Sequence, residues 1–582
     1  MDNEYRKPYL AALTHTAPQT RYYVYPREAL KKEPIFPYLV LDGGAFLFAA
    51  EHFGDASSDT LLGKTLSGEL FELFRDENGE MDWGRSYHLA AASGMPKQHE
   101  WQSWPQRLYM LLPLAQAYLR TSDRKYAAAW LRILKNWADF APYEPLQRDV
   151  SHVNTSMRWR DMQVSWRAMT LLHSLYMLGT HDDAFTEDEW REIYAFLELN
   201  LDHLAEEAQF VGEKGRLGNH TLQMASVLVT AGIVFAELPR ARAYFDCGKA
   251  VMTACFAFNV MPDGGTKEVG PSYNHFIARL YLEAQKNCEL NGYPEIEGLH
   301  DSVIRQYQWL ASVATKDGRA LRLSDAYGMD AHADVRRMGE IFPFQADFSK
   351  PSIRMPDSEY IILRNSRWEL ALDAMAFFGG HQHYGRVQPL LWADGEEILT
   401  DTGCCNYDRN DLYVWGKTAE AHSVVTCAAL PFYASRYDVE VLEADLSANT
   451  VRARVTVQYE ERSYVWTRSV RLTEDGAWFS DRVQSSEPLE FQGRWYLAGR
   501  PTALEESECA EDPIVHHAPY LELGHVARQR LSRGPMTLRS SALLHLDHTP
   551  AMGEDNRVTY LDRLTWTKTG TDFTVETRIL YR

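Results

Sequence analysis

Between residues 104 and 316 the apolar positions recur with the period of an α-helix. Tyr126, Trp130, Ile133, Leu134 and Trp137 fall at i, i+4, i+7, i+8 and i+11, one wide apolar stripe with polar residues between. The same period marks helices at 104–119, 161–178, 188–208, 219–235, 240–257, 272–290 and 299–316, and Pro113 is expected to kink the first. Short links such as Gly179-Thr-His-Asp-Asp and Asn291-Gly-Tyr-Pro join them. Helical hairpins of this size with no strand between them predict an α/α toroid, an incomplete barrel. No clean fixed-period repeat is present. Upstream, residues 1–60 read as a mixed lead-in interrupted by Pro26, Pro34 and Pro37, with a short extended piece at 38–42 and helical character from about Leu61.

Near 341–357 the pattern changes. Phe342-Pro-Phe, Pro351 and Pro356 mark a linker. Short apolar or alternating runs follow at 360–363, 369–378, 388–392, 397–400, 424–427, 451–459, 463–472, 489–497, 558–566 and 572–580. Arg452-Ala-Arg-Val-Thr-Val alternates polar and apolar, as a half-buried antiparallel strand does. The chain therefore reads as an α+β multidomain protein: lead-in 1–60, α/α toroid 61–345, and antiparallel β-sandwich sheets at 357–582.

Composition narrows the function. The 582 residues are 45% hydrophobic, enough for more than one core. A net charge of −20 argues against nucleic acid and acidic membranes as general partners, while leaving room for a locally basic cleft. Met1 to Tyr23 holds no apolar run of signal-peptide length, and no later window reaches a membrane span. Seven cysteines without a CxxC pair fit a reducing compartment, so a cytoplasmic location is expected unless a leader precedes this sequence. P-loop and dinucleotide fingerprints are absent, and no organic cofactor is expected.

Candidate chemistry gathers in four places. Asp263-Gly-Gly-Thr-Lys-Glu268-Val-Gly-Pro-Ser-Tyr273-Asn-His275 is a glycine-rich loop running into a helix, with Ser272 as the expected N-cap. Gly218-Asn219-His220 opens another helix, with Asn219 the expected N-cap. A histidine there meets the positive end of the helix dipole, which favours the neutral base. His381-Gln-His383-Tyr384-Gly385-Arg386 follows a strand, and Asp401-Thr-Gly403 and His422 stand at strand ends. His383, Asp401 and His422 form a donor set competent for zinc. Such an ion would be structural, holding His381 in register from two residues away.

Taken together, Gly218-Asn219-His220, Asp263-Gly-Gly…Glu268…Pro271-Ser-Tyr273, His381-x-His383, Asp401-x-Gly403 and Ala421-His422 resemble the heparinase II/III-like polysaccharide lyases. Ser156-Met-Arg158-Trp159-Arg160…Arg167 is similar to that family's early Trp/Arg helix, and Leu323-Ser-Asp325 to the segment closing its helical domain. Gln223 stands where many members carry Glu, and Ser423 replaces the usual Asn after His422.

The resemblance implies β-elimination beside a uronic acid. Asn219 and His381 would neutralise the substrate carboxylate, with Arg160 adding charge. Tyr273 would be the acid, and also the base for one C5 epimer; His220 would be the base for the other. Gln223, Glu268 and Trp159 complete the expected substrate-binding set. The implied partner is an anionic uronate-containing oligo- or polysaccharide, and a homodimer is compatible with this reading. Two other classes remain open. A glycoside hydrolase would need a carboxylate pair from residues such as Asp161, Glu268 and Asp325. A carbohydrate-binding protein would keep the aromatics, Trp101, Trp104, Trp159 and Trp166 among them, without needing Tyr273 and His220.

Overall fold

The computed structural model describes residues 22–31, 46–48, 60–65, 70–74, 76–78, 80–83, 104–148, 158–180, 183–376, 378, 380–404, 411–431, 434–499, 503–505, 522–531, 534–552 and 558–581. The extended piece expected at 38–42, Trp101 and the Ser156-Met pair lie outside them. By its internal contacts the chain divides into two compact units. The first is Met1–Val260 with Phe276–Val303, and the second is Met261–His275 with Ile304–Arg582.

The first unit is mainly helical, with a small antiparallel sheet near its start. Helices α1 (Leu111–Thr121), α2 (Arg124–Phe140), α3 (Asp161–Leu178), α4 (Glu187–Glu213), α5 (Asn219–Val234) and α6 (Ala241–Asn259) follow in order. Most of α7 (Pro271–Asn291) and the start of α8 (Leu299–Val313) also belong to it. Helices α3 and α5 are buried over nearly every residue, as all-round apolar sequences require, whereas α2 keeps one wet face. Helices α5 and α6 touch backbone to backbone. A Cβ on Gly248 would lie 2.8 Å from the Ala225 carbonyl oxygen, and one on Gly232 2.6 Å from that of Ala241. A capping box starts α4, Thr186 and Glu189 satisfying each other's backbone donors.

Three local expectations are corrected. Pro113 falls in the first turn of α1, where its missing N–H has no intrahelical partner to lose, so it starts a helix rather than kinking one. Ser272 is not the cap of α7: Pro271 takes the first helical position and the Ser272 hydroxyl accepts from the Tyr327 N–H at 3.1 Å. Asn219 is likewise already helical, with Gly218 as the capping residue. The helical reading from Leu61 also fails. Strands β1 (Phe46–Phe48), β2 (Thr60–Thr65) and β3 (Leu70–Phe74) form an antiparallel sheet, because apolar runs of five or six residues do not distinguish strand from helix.

Among its described residues the second unit carries α9 (Ala331–Ile341), α10 (Asp411–Lys417) and one branched network of fourteen antiparallel strands. One branch runs β4 (Ile353–Met355), β5 (Tyr360–Arg364), β6 (Trp368–Asp373), β7 (Pro389–Ala393), β8 (Glu396–Leu399) to β13 (Gly476–Leu497). The other brings β10 (Arg436–Asp445), β11 (Thr450–Tyr459) and β12 (Arg462–Thr473) to the same β13, which also pairs with β9 (Val425–Thr426). From β13 the sheet continues through β17 (Val558–Tyr581), β16 (Gly534–Met552), β15 (Glu522–Leu531) and β14 (Ala503–Glu505). Inward residues of both branches, among them Trp368, Leu391, Val455, Trp466, Phe479 and Trp495, share one apolar cluster. The branches are therefore the two layers of a sandwich. Strand β13 spans 22 residues and joins both layers, with a register shift between Gln484 and Leu489.

Candidate functional site

The expected residues fall into two sets, one in each unit. In the helical unit, α3 and α5 present Asp161 and His220 at their first turns. The Asp161 carboxylate meets His220 Nδ1 at 2.9 Å, with the His220 side chain 49% exposed. Burial would raise the Asp161 pKa, but the imidazole's charge and hydrogen bond outweigh it and hold the carboxyl well below its usual range. Asn219 is buried beside it, its side-chain oxygen accepting from the His220 N–H at 2.9 Å. Arg160 caps α3 and is partly buried. One turn into α5, Gln223 is wholly buried and neither end of its amide has a hydrogen-bond partner.

Trp159 does not serve as a sugar platform. It is 1% exposed, packed against Tyr143, Trp137 and the Arg167 guanidinium, so neither ring face is available to a ligand. Trp166 is buried too. The aromatic spacing of this stretch is a core pattern.

The second set is built by a corner. Gly264 takes φ +95°, where a Cβ would lie 2.4 Å from the Arg305 carbonyl oxygen, so only glycine fits. Asp263 then accepts from the Ser358 N–H and hydroxyl at 2.8 and 2.9 Å and from the Gly265 N–H at 2.9 Å. That lock fixes the loop carrying Glu268 and delivers Tyr273 on the first turn of α7. The Tyr273 ring stacks on His381 with centroids 3.7 Å apart and planes 22° from parallel.

Asp325 organises everything around His381. Its Oδ2 meets His381 Nδ1 at 2.8 Å and Lys417 Nζ at 2.9 Å, and its Oδ1 meets His383 Nε2 at 2.6 Å. Burial pushes the Asp325 pKa up, but the two imidazoles and the ammonium prevail and hold it well below the usual range. Lys417 is correspondingly raised: burial lowers it, and Asp325 more than compensates. Glu268 approaches His381 Nε2 at 3.9 Å. From the sequence Asp325 is legible as the end of the helical half and as a candidate hydrolase carboxylate, not as this anchor; Lys417, on a short helix, carries no sequence signal.

The donor set His383, Asp401 and His422 also comes together, fully buried, with ligand atoms within 4.8 Å of one another. Both ring nitrogens of His422 and Nδ1 of His383 lack hydrogen-bond partners, and burial lowers the His383 pKa against the pull of Asp325. Gly385 lies so close that a Cβ there would come within 2.3 Å of the His422 ring. The unbonded Nδ1 of His383, the His422 ring with its Nδ1 3.5 Å from Asp401, and the Asp401 carboxylate make a donor set that fits a metal ion.

Residues 54–349 match the heparinase II/III N-terminal family model, and residues 348–543 match the heparinase II/III-like C-terminal model. The chain belongs to the heparinase II/III-like family. Two relatives are heparin-sulfate lyases, from Bacteroides stercoris (23% identical over 378 residues) and Bacteroides thetaiotaomicron (29% over 379). Each match covers 56% of this chain, and the chain spans about half the length of these curated relatives, 55% and 51%. Among solved structures, heparinase III superposes with a TM-score of 0.70 at 17% identity, covering 87% of this chain and 80% of that one. A heparan sulfate lyase from Pedobacter heparinus gives 0.62 at 15% identity, covering 99% and 87%. The shared fold is the family's α-toroid followed by antiparallel β-sheets.

Two of the three carboxylates considered for a hydrolase pair are otherwise engaged. Asp325 is buried with both oxygens engaged, and Asp161 is committed to His220.

Proposed function

We propose that this protein is a polysaccharide lyase that cleaves a uronate-containing glycan, of the glycosaminoglycan class named for its relatives, by β-elimination. The observation that carries this reading is Tyr273 stacked face to face on a histidine whose Nδ1 is held by the buried carboxylate of Asp325.

Elimination removes the C5 proton next to a carboxylate and expels the oxygen on C4. The carboxylate must first be neutralised so that the dianionic intermediate is tolerable. With Nδ1–H donating to Asp325, His381 can donate from Nε2 to the substrate carboxylate only as an imidazolium, and that is the form proposed for this task; Asn219 and Arg160 are the further candidates for it. Tyr273 then protonates the leaving oxygen, and abstracts the C5 proton when it lies on the tyrosine side. His220 is the base for the other epimer, its ring oriented by Asp161. Of the remaining candidates, Glu268 borders His381, whereas Gln223, wholly buried within α5, is not placed to touch a substrate.

Zinc is the metal proposed for His383, Asp401 and His422, from the mixed imidazole and carboxylate set. When bound it would supply rigidity rather than a reacting group. His383 shares Asp325 with His381, so this chain's own residues pass any constraint at the donor set to the proposed carboxylate-binding histidine.

The test is product chemistry. Incubation with heparan sulfate, chondroitin sulfate, hyaluronan and alginate is expected to generate the ultraviolet absorbance of an unsaturated uronyl end with at least one. New reducing ends without absorbance would mean a hydrolase, and neither would mean a binder. Tyr273→Phe, which removes only a hydroxyl, is expected to lower kcat by roughly a hundredfold or more with the melting temperature unchanged. Turnover near wild type would remove Tyr273 from the chemistry.

A further inference from the structure

On the outward face of the sandwich, four adjacent strands place one row of side chains directly opposite one another. Arg471 on β12 faces Trp478 on β13, Trp478 faces Arg578 on β17, and Arg578 faces Arg539 on β16. With strands roughly 4.8 Å apart the row is about 14 Å long. The guanidinium groups of Arg471 and Arg578 lie 4.8 and 4.1 Å from the Trp478 ring centroid. Stacking of this kind holds a guanidinium flat and leaves its N–H edge for a carboxylate or sulfate.

The three arginines are exposed, and among the described residues none is in an ion pair. That is unusual in a chain of net charge −20. The row borders a groove of about 300 Å³ lined also by Arg452, Ser469 and Ser480.

The acids nearby are already occupied. Glu443 pairs with Arg452 at 3.6 Å, and Glu576 accepts the Ser480 hydroxyl at 2.6 Å. Asp445, at the far end of the row, accepts from the Ser447 and Ala448 N–H groups at 3.0 Å each. The Trp478 indole N–H is buried, so what this side chain presents to the groove is its ring rather than a donor.

We propose that this row is a second glycan site, distinct from the elimination residues, which takes the carboxylates or sulfates of an acidic polysaccharide. Naming the polymer as a uronate glycan rests on the function proposed above; the cationic, aromatic, hydroxyl-lined groove does not. A glycan is favoured over nucleic acid because the row is short and the rest of the chain strongly acidic, which would repel a long stiff polyanion.

The test compares the Tyr273→Phe protein, which should leave the polymer uncut, with the same protein carrying R471Q, R539Q and R578Q. Calorimetry with heparan sulfate chains at low and physiological salt is expected to give about tenfold weaker binding and a shallower salt dependence for the arginine variant. With Tyr273 intact, the triple variant should turn over a short uronate oligosaccharide at the parent kcat/KM. Trp478→Ala, which removes no charge, is expected to weaken chain binding in the same direction at an unchanged melting temperature. Undiminished affinity in both variants would overturn the proposal. Duplex DNA bound as tightly, and lost with the arginines, would overturn the glycan assignment in favour of a general polyanion site. Loss of heparan sulfate binding without any lyase product from wild type would leave the groove standing and remove the proposed elimination.

Discussion

The two candidate sets hold a histidine by the same means but in different surroundings. In the helical unit a half-exposed His220 leans on one carboxylate, Asp161, and both belong to the first turns of helices. In the second unit the carboxylate is Asp325, wholly buried and shared by His381 and His383 from one segment of chain and Lys417 from another. The first arrangement orients one ring and leaves it wet. The second makes one buried charge the common anchor of a proposed substrate-binding histidine and a member of the metal set. An exposed pair adds little to stability, whereas a buried charge with several partners is costly to break.

Substitutions that separate the two sets should rank accordingly. Asp325→Asn keeps the size and removes the charge, leaving two imidazoles and an ammonium around a neutral amide. It is expected to lower the unfolding free energy by about 3 kcal/mol or more in denaturant titration, and to abolish turnover. A stable, active variant would show that Asp325 is not the anchor. His383→Ala should come next. Purified wild type is expected to hold about one equivalent of zinc by metal analysis, lost in this variant, with melting temperature and activity falling together. Chelated protein that keeps both would reduce the triad to a polar cluster.

In the helical unit the effects should be smaller and confined to chemistry. Asp161→Asn is expected to lower kcat by roughly tenfold on a substrate whose C5 proton faces His220, with little change on the opposite epimer or in melting temperature. Equal losses on both epimers would mean that Asp161 supports the fold of α3 rather than the histidine.

The smallest effect is one of pH. Glu198 in α4 is buried, and burial with the neighbouring Asp202 charge raises its pKa to about 7. A carboxyl raised on folding stabilises below its unfolded value of about 4.3, and that contribution is lost as pH rises through the folded pKa. The Glu198 contribution should therefore decline between about pH 4.3 and 7, and Glu198→Gln should remove that downward component from the pH dependence of the melting temperature. Asp325, shifted the other way, should show no loss over this window. An identical slope in the variant would place the pH dependence elsewhere.

Much of this was legible in the chain. The helical period located α2, α3 and α5, and alternation located β11 and β12, because each pattern is a local consequence of burying one face. Strand β10 escaped notice because its burial alternates only between partial and exposed, and β14 to β16 because their runs are not uniformly apolar. The stretch from Asp263 to Tyr273 and the pair Asn219-His220 stood out through glycine punctuation and residue types crowded at helix starts. Trp159 misled, since a tryptophan at helical spacing looks the same whether it meets a sugar or Arg167.

What the sequence determined by itself was the order of the two architectures and the residues able to accept or donate protons. Those depend on periods and side-chain chemistry that act over a few residues. Only the tertiary structure decided which carboxylate meets which histidine. The partners of Asp325 lie 56 to 92 residues away along the chain, and Trp478 finds Arg578 across paired strands. Such pairings are fixed by which faces must be buried together, a constraint that acts between segments and leaves no local trace.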